Sequence, residues 1–284
     1  MEIVRTAAEL RGWSRGERGK GLSVGLVPTM GALHAGHGSL IEAAVRACGR
    51  VAVSIFVNPT QFGPSEDFAR YPRSFEADCR LAEAAAAQVV FAPSVEEMYP
   101  DLSGGGSGTF VDVGDLGGRL DGRSRPGHFR GVATVVAKLL IACEADRAFF
   151  GQKDGAQVAV IRRMVADLRM GTEIVVCPIV READGLALSS RNVYLSAEER
   201  RQALVLSRAV REVERLVAGG ERRAEELVAA GRAVMAEEPR VKVDYVEVVD
   251  WGKLQPVEVV GAGTLFAVAA WVGATRLIDN AVIG

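Results

Sequence analysis

The sequence predicts an α/β protein built on a parallel sheet, followed by a smaller α+β domain, and three observations carry that expectation. Short apolar runs rich in β-branched residues alternate with segments of helical period over the first 180 residues. Near Arg181 this rhythm gives way to two long amphipathic helices and then to alternating strands. The composition, 49% hydrophobic and 25% charged over 284 residues, suits a globular chain that buries its core in one large domain or two ordinary ones.

The first two strands are GLSVGLVP, 21–28, which stops at a proline, and VAVSIFVNP, 51–59. Between them GHGSLIEAAVRACG sets Leu40, Ile41, Ala44, Val45 and Cys48 along one helical stripe and ends at Gly49, completing a βαβ unit. The pattern continues with helix FEADCRLAEAAAAQ and strand VVFAP, helix GVATVVAKLLIAC and strand DRAFFG, and helix DGAQVAVIRRMVADL and strand TEIVVCPIV. Strands that alternate with helices imply a parallel sheet covered on both faces. Beyond the boundary, LSAEERRQALVLSRAVREVERLVAGG and ERRAEELVAAGRAVMAEEP read as helices, and VKVDYVEVVD and TLFAVAAWVGATRLIDN as strands of a mixed or antiparallel sheet. The expected domains are therefore 1–180 and 181–284.

Charge and composition exclude several classes of function. A formal net charge of -2 supplies no general field for a polyanion, and the pairs Arg200-Arg201 and Arg222-Arg223 adjoin glutamates as on solvated helix faces, so no nucleic-acid partner is expected. Cys48, Cys79, Cys143 and Cys177 are scattered, without a C-x-x-C pair or zinc spacing, and are expected to be small buried hydrophobes in a reducing compartment. The start, MEIVRTAAELRGW, has no continuous apolar region, and no later stretch is apolar for the ~18 residues of a membrane span. A cytoplasmic protein with no membrane partner is the expectation. DLSGGGSGTF, 101–110, lacks the Gly-Lys-Ser/Thr of a phosphate loop and reads as a mobile surface loop.

The residues that carry chemistry lie at strand ends, where parallel sheets bind ligands. After the first strand comes PTMGALHAGH, with His34 before a helix and His37 in its first turn. A helix N-terminus there suits an anion, and imidazoles replace the missing P-loop grip by donating to phosphate oxygens. Two other readings of this pair are metal ligation, for which no third ligand lies nearby in sequence, and simple capping. After the second strand, Asn58 and Gln61 are neutral amides suited to hydroxyls and carboxylates, with turn chemistry as the alternative for Asn58. After DRAFFG, Gly151 permits close backbone approach, Lys153 supplies a compact cation and Gln157 lies one helical turn further on. Ser189, Ser190 and Arg191 add two hydroxyls and a guanidinium near the domain junction. These segments converge on the edge where a ligand crevice is expected.

PTMGALHAGH, SIFVNPTQF, RYPR, SRPGHFRGV, FGQKD, VREADGLALSSRN and RLIDN together resemble the pantoate–β-alanine ligase family over essentially the whole chain. That family is similar in fold to the nucleotidylyltransferase and class I synthetase group, so the resemblance implies a Rossmann-like sheet with the C-terminal domain closing over the active site. It implies ATP-dependent condensation of (R)-pantoate with β-alanine through a pantoyl adenylate, with Mg²⁺ accompanying ATP, in a homodimer. Apolar segments such as VAVSIFV are then expected near the shared surface.

By the same resemblance, Met30, Gly31, Ala32, Leu33, His34, Ala35, Gly36 and His37 line the ATP site. His34 and His37 act on the phosphates and His37 is the proton donor. Gly151, Gln152, Lys153, Asp154, Val180, Leu188, Ser189, Ser190 and Arg191 complete that site, with Lys153 and Arg191 as catalytic clamps. Gln61 and Gln157 hold pantoate with Asn58 in support, Gln61 also meets β-alanine, and Asp78 is a candidate metal ligand. The chain departs from many relatives at Gln152, where they have Glu, and at Ala156, where they have Gln. A nucleotidylyltransferase of the same fold and a non-catalytic nucleotide sensor remain alternatives at this point.

Overall fold

The apolar runs become strands of a parallel sheet. In the computed structural model, which describes residues 1–63, 67–101 and 108–284, the chain divides into two compact units. One comprises Met1–Gly151 with Val160–Cys177, the other Gln152–Ala159 with Pro178–Gly284. The second unit takes the chain from Pro178 onward together with the turn and first helical residues that follow the DRAFFG strand. Most of the loop expected at 101–110 lies outside the described residues, at 102–107.

In the first unit, β1 (Glu2–Val4), β2 (Val24–Thr29), β3 (Arg50–Ile55), β4 (Val89–Phe91), β5 (Arg147–Gly151) and β6 (Glu173–Cys177) run parallel in the order β1-β4-β3-β2-β5-β6. The order reverses at β2, where chain progress goes one way through β3 and β4 and the other way through β5 and β6, which is where such sheets open a crevice. Val51, Ala52 and Val53 of β3 are fully buried between β4 and β2. The start of the VAVSIFV segment is thus interior strand, whereas Ile55 and Val57 at its end are only half-buried.

Helices α1 (Ala7–Gly19), α2 (Ala35–Ala47), α3 (Phe75–Ala84) and α6 (His128–Cys143), with the single turns α4 (Val95–Met98) and α5 (Asp121–Ser124), belong to this unit, whereas α7 (Gly155–Asp167) begins in the other and ends here. Val27, Ile41, Ala44, Val53, Val90 and Phe149 form the core between sheet and helices. β1 and α1 are additions to the sequence reading. Thr6 and Glu9 form a reciprocal capping box at the start of α1, with Glu9 N donating to Thr6 Oγ1 at 3.2 Å and Thr6 N to Glu9 Oε2 at 2.9 Å. Cys143 and Cys177 are buried as expected, but Cys48, the C-cap of α2, and Cys79 in α3 are only half-buried at the margin of the core. Burial pushes the Cys143 thiol up to about 12.

The second unit packs α8 (Ala197–Ala218) and α9 (Ala224–Met235) on an antiparallel sheet, β7 (Val241–Asp250), β8 (Thr264–Val272) and β9 (Thr275–Ile283). Their apolar faces meet through Val205, Leu206, Val213, Leu227, Phe266 and Val268. TLFAVAAWVGATRLIDN forms an antiparallel hairpin, with Val272 paired to Thr275 across a two-residue turn whose Gly273 has φ +56°.

Candidate active site

The first group of functional residues is built on the exit from β2. Thr29 Oγ1 donates to Ser54 O of β3 at 2.6 Å and accepts from Gly31 N at 3.2 Å, which fixes where the chain leaves the sheet. Gly31 and Ala32 both adopt left-handed conformations, φ +83° and +49°. For alanine this is uncommon and costs about 1–2 kcal/mol, so other contacts must hold the turn. They come from Asp78 in α3, a buried carboxylate whose Oδ2 accepts from Ala32 N at 2.9 Å and whose Oδ1 accepts from Leu33 N at 2.8 Å. The proposed metal ligand of the sequence reading thus has both oxygens directed at the backbone of the histidine loop.

His34 is the N-cap of α2, and its Nδ1 accepts from Gly36 N at 3.2 Å. His37 Nδ1 accepts in turn from His34 N at 3.3 Å, a capping box made of two imidazoles whose ring centroids lie 4.1 Å apart. The capping reading of the pair is therefore correct as far as Nδ1 goes. It also fixes the tautomer: with both Nδ1 atoms accepting, the neutral rings carry their protons on Nε2, which makes Nε2 the donor of each ring.

The amide pocket adjoins this loop. Asn58 caps the 3₁₀ turn Pro59–Gln61, accepting from Thr60 N at 3.4 Å and Tyr99 Oη at 2.9 Å. Its Nδ2 donates to Gln61 Oε1 at 3.0 Å and Gly131 O at 3.2 Å. Asn58 is 1% exposed, so its amide is spent on orienting Gln61. Gln61 Nε2 donates to Met30 Sδ at 3.0 Å, tying the pocket to the histidine loop. Beneath it, His128 Nδ1 donates to Gln61 O at 2.8 Å while Nε2 accepts from Arg125 Nη1 at 3.0 Å, since a carbonyl only accepts and a guanidinium only donates. α6 approaches so closely that a Cβ on Gly131 would overlap the Thr60 carbonyl and come within 2.7 Å of Gln61 Cα.

The second group belongs to the other unit. Lys153 lies in the 3₁₀ turn Gln152–Asp154, which precedes α7, so it and Gln157 are not successive positions of one helix as expected. Lys153 Nζ is 3.8 Å from Asp154 Oδ1, a loose, partly exposed pair. Gln157 is half-buried, and Ala156 beside it is packed at 4% exposure. Asn280 of β9 holds the turn: its Nδ2 donates to Gln152 O at 3.0 Å and Lys153 O at 2.9 Å, and its Oδ1 accepts from Gln152 Nε2 at 3.3 Å. Trp251 Nε1 donates to Gly155 O at 2.8 Å.

Val180 and Leu188 pair through a Leu188 N to Val180 O bond of 2.9 Å across a hairpin that turns at Gly185. Arg181 at its base makes a two-pronged bond to the buried carboxylate of Asp279, at 2.6 and 3.0 Å. Ser189 caps the 3₁₀ turn Ser190–Tyr194, accepting from Arg191 N at 3.2 Å. Asn192, buried in that turn, donates to Glu182 Oε1 at 2.7 Å and Ala187 O at 3.1 Å. Asp279 and Asn280, Arg125 and His128, and Tyr99 were not assigned roles from the sequence. The RLIDN and SRPGHFRGV segments that contain four of them were its only signal.

A parallel sheet with a histidine-bearing loop at its switch point and a buried amide pocket beside it defines an α/β enzyme of the nucleotide-using ligase class. A family model described as pantoate-beta-alanine ligase matches residues 2–282, and the chain belongs to that family. It is 63% identical to the pantothenate synthetase of Acidobacterium capsulatum over 280 residues, 99% of this chain and 91% of that protein. It is 56% identical to that of Koribacter versatilis over 283 residues, 100% and 96% of the two. Among solved structures, pantothenate synthetase from Thermus thermophilus matches with a TM-score of 0.92 at 46% identity, covering 99% of each chain. The pantoate-beta-alanine ligase of Francisella tularensis, complexed with beta-gamma ATP and beta-alanine, matches with a TM-score of 0.80 at 32% identity, covering 99% and 97%. The nucleotidylyltransferase and sensor alternatives give way to this assignment.

Proposed function

We propose that the chain condenses (R)-pantoate with β-alanine at the expense of ATP, giving pantothenate, AMP and diphosphate. A pantoate carboxylate oxygen attacks the α-phosphorus, the bond from that phosphorus to the bridging oxygen breaks, and diphosphate leaves with the electron pair. The β-alanine amine then attacks the acyl carbon of the pantoyl adenylate, AMP leaves, and the amine loses a proton. The observation that carries this reading is the Gln61 to Met30 bond, which couples an amide pocket fit for a hydroxy acid to a loop of two Nε2–H donors.

In this reading His34 and His37 donate to phosphate oxygens as charge moves onto them, and His37 is the proton donor. Lys153 and Arg191 neutralise the leaving diphosphate. Met30, Gly31, Ala32, Leu33, Ala35 and Gly36, and Gly151, Gln152, Asp154, Val180, Leu188, Ser189 and Ser190, shape the ATP site. Gln61 and Gln157 hold pantoate, Gln61 also serves β-alanine, and Asn58 acts through Gln61. Among the described residues no three His, Cys, Asp or Glu side chains come together to hold a metal ion. Mg²⁺ would enter on the triphosphate, whose oxygens it prefers, and would supply charge neutralisation there.

Labelled diphosphate is expected to exchange into ATP only when pantoate is present, without β-alanine, because adenylation is reversible. Folded protein that shows no such exchange would sink the two-step reading. The same reading includes a cytoplasmic homodimer. The family resemblance alone supports it; among the described residues no helix is long and apolar enough to cross a membrane. Light scattering at micromolar concentration tests the dimer, and a monomer removes it.

A further inference from the structure

A glycine-containing phosphate loop ordinarily turns its N–H groups toward the anion. Here two of them, on Ala32 and Leu33, turn inward to the carboxylate of Asp78, which also accepts from Ser74 Oγ at 3.0 Å. Asp78 is 2% exposed and stands in the first turn of α3, 45 residues beyond Leu33. A Cβ on Gly31 would sit 3.0 Å from Asp78 Oδ2, so loop and carboxylate are fitted face to face. We propose that Asp78 is the positioning residue of the nucleotide loop: it holds the left-handed turn at Gly31 and Ala32 and so presents the imidazoles of His34 and His37, instead of backbone N–H groups, to the phosphates.

The inference rests on the functional reading above and deepens it. It also assigns the carboxylate a task other than ligating a metal, because three donors already occupy the oxygens that a cation needs. Asp78→Asn keeps the shape but turns an NH₂ toward a backbone N–H. Its KM for ATP in pantoate-dependent exchange is expected to rise at least roughly tenfold. The KM for pantoate and the Mg²⁺ concentration for half-activity at saturating ATP should hold. Amide exchange over residues 31–37, followed by mass spectrometry, should quicken.

A folded Asp78→Asn protein with an ATP KM within twofold of the unsubstituted enzyme overturns the proposal. A defect cured by excess Mg²⁺ or by Mn²⁺ does so too, and makes Asp78 a metal ligand. Should that variant not fold, Ser74→Ala removes one donor and leaves the carboxylate. It is expected to raise the ATP KM about two- to threefold, and no change overturns the proposal. The amide-exchange readout needs no substrate, so unchanged exchange defeats this inference alone. Absence of pantoate-dependent exchange in the unsubstituted protein instead defeats the reading beneath it.

Discussion

The side-chain amide of Asn280 donates to the main-chain carbonyl of Lys153 at 2.9 Å and to that of Gln152 at 3.0 Å. One strand residue therefore sets the turn from which the lysine projects. In Asn280→Asp two carboxylate oxygens face those carbonyls and no donor remains. A buried group left unpaired in this way costs about 1–3 kcal/mol, so kcat/KM for ATP is expected to fall by roughly one to two powers of ten. Steady-state kinetics at saturating pantoate provide the check, and near-normal values would leave Asn280 a purely structural residue.

The two tasks of His34 separate by substitution. His34→Ala loses both the cap and the Nε2–H donor, and is expected to lower stability by about 1 kcal/mol and adenylation by roughly 10². Asparagine is a good N-cap, so His34→Asn should recover the melting temperature without recovering the rate. A variant that regained both would reduce His34 to a cap.

Gln157 and Lys153 are expected to divide the ligands. Gln157→Ala should weaken pantoate by roughly one to two powers of ten and leave ATP binding nearly unchanged. Lys153→Met should abolish adenylation while pantoate still binds. Calorimetric titration of each variant with each ligand decides, and a Gln157→Ala protein that loses ATP instead would reverse the assignment.

Gly131 tests the amide pocket from behind. A methyl group there overlaps the Thr60 carbonyl and crowds Gln61 Cα, so α6 and the Pro59–Gln61 turn must separate. Gly131→Ala is expected to destabilise the protein by about 1–3 kcal/mol and to raise the KM for pantoate more than that for ATP. Equal effects on both substrates would show that the turn does not transmit the displacement to Gln61.

Acid should act on the cluster around Arg200. Its guanidinium lies 2.6 Å from Glu182 Oε2 and 2.8 Å from Asp184 Oδ2. The Arg200 hydrogen bond, helped by Asn192 and opposed by burial, holds the Glu182 carboxyl below its ordinary 4.5. A depressed carboxylate contributes stability that is complete above the unfolded value and is lost as pH falls through the folded one. Thermal melts should therefore decline below about pH 4.5, and Arg200→Met should flatten that decline. Parallel curves for the two proteins would exclude the cluster as its source.

How far the sequence revealed this site depends on the range of each interaction. The inner strands, α2, α6 and α8 declare themselves through local period, and His34, Asn58, Lys153 and Ser189 through their place at element ends. The contacts of Asp78 with Ala32 and of Asn280 with Lys153 join residues far apart in the chain, and no local pattern marks which loop a buried carboxylate or amide will meet. β1 escaped because three residues at a sheet edge carry too little periodicity. α1 does carry a legible start, the Thr-x-x-Glu of Thr6 and Glu9, but buries only Leu10 and Ser14 behind it, too few positions for a visible stripe. The Lys153 to Gln157 spacing misled because a count of residues does not distinguish a 3₁₀ turn from the α-helix that follows it.

β2 and β5 lie side by side through the pairing of Gly25 with Arg147, yet all of β3 and β4 intervenes in the chain. Strands so distant meet only after a long loop closes, and such closure is slow because its entropy is lost before the contacts form. The histidine loop follows β2 at this seam. Catalytic competence should therefore return in the slowest refolding phase, after helical signal has recovered.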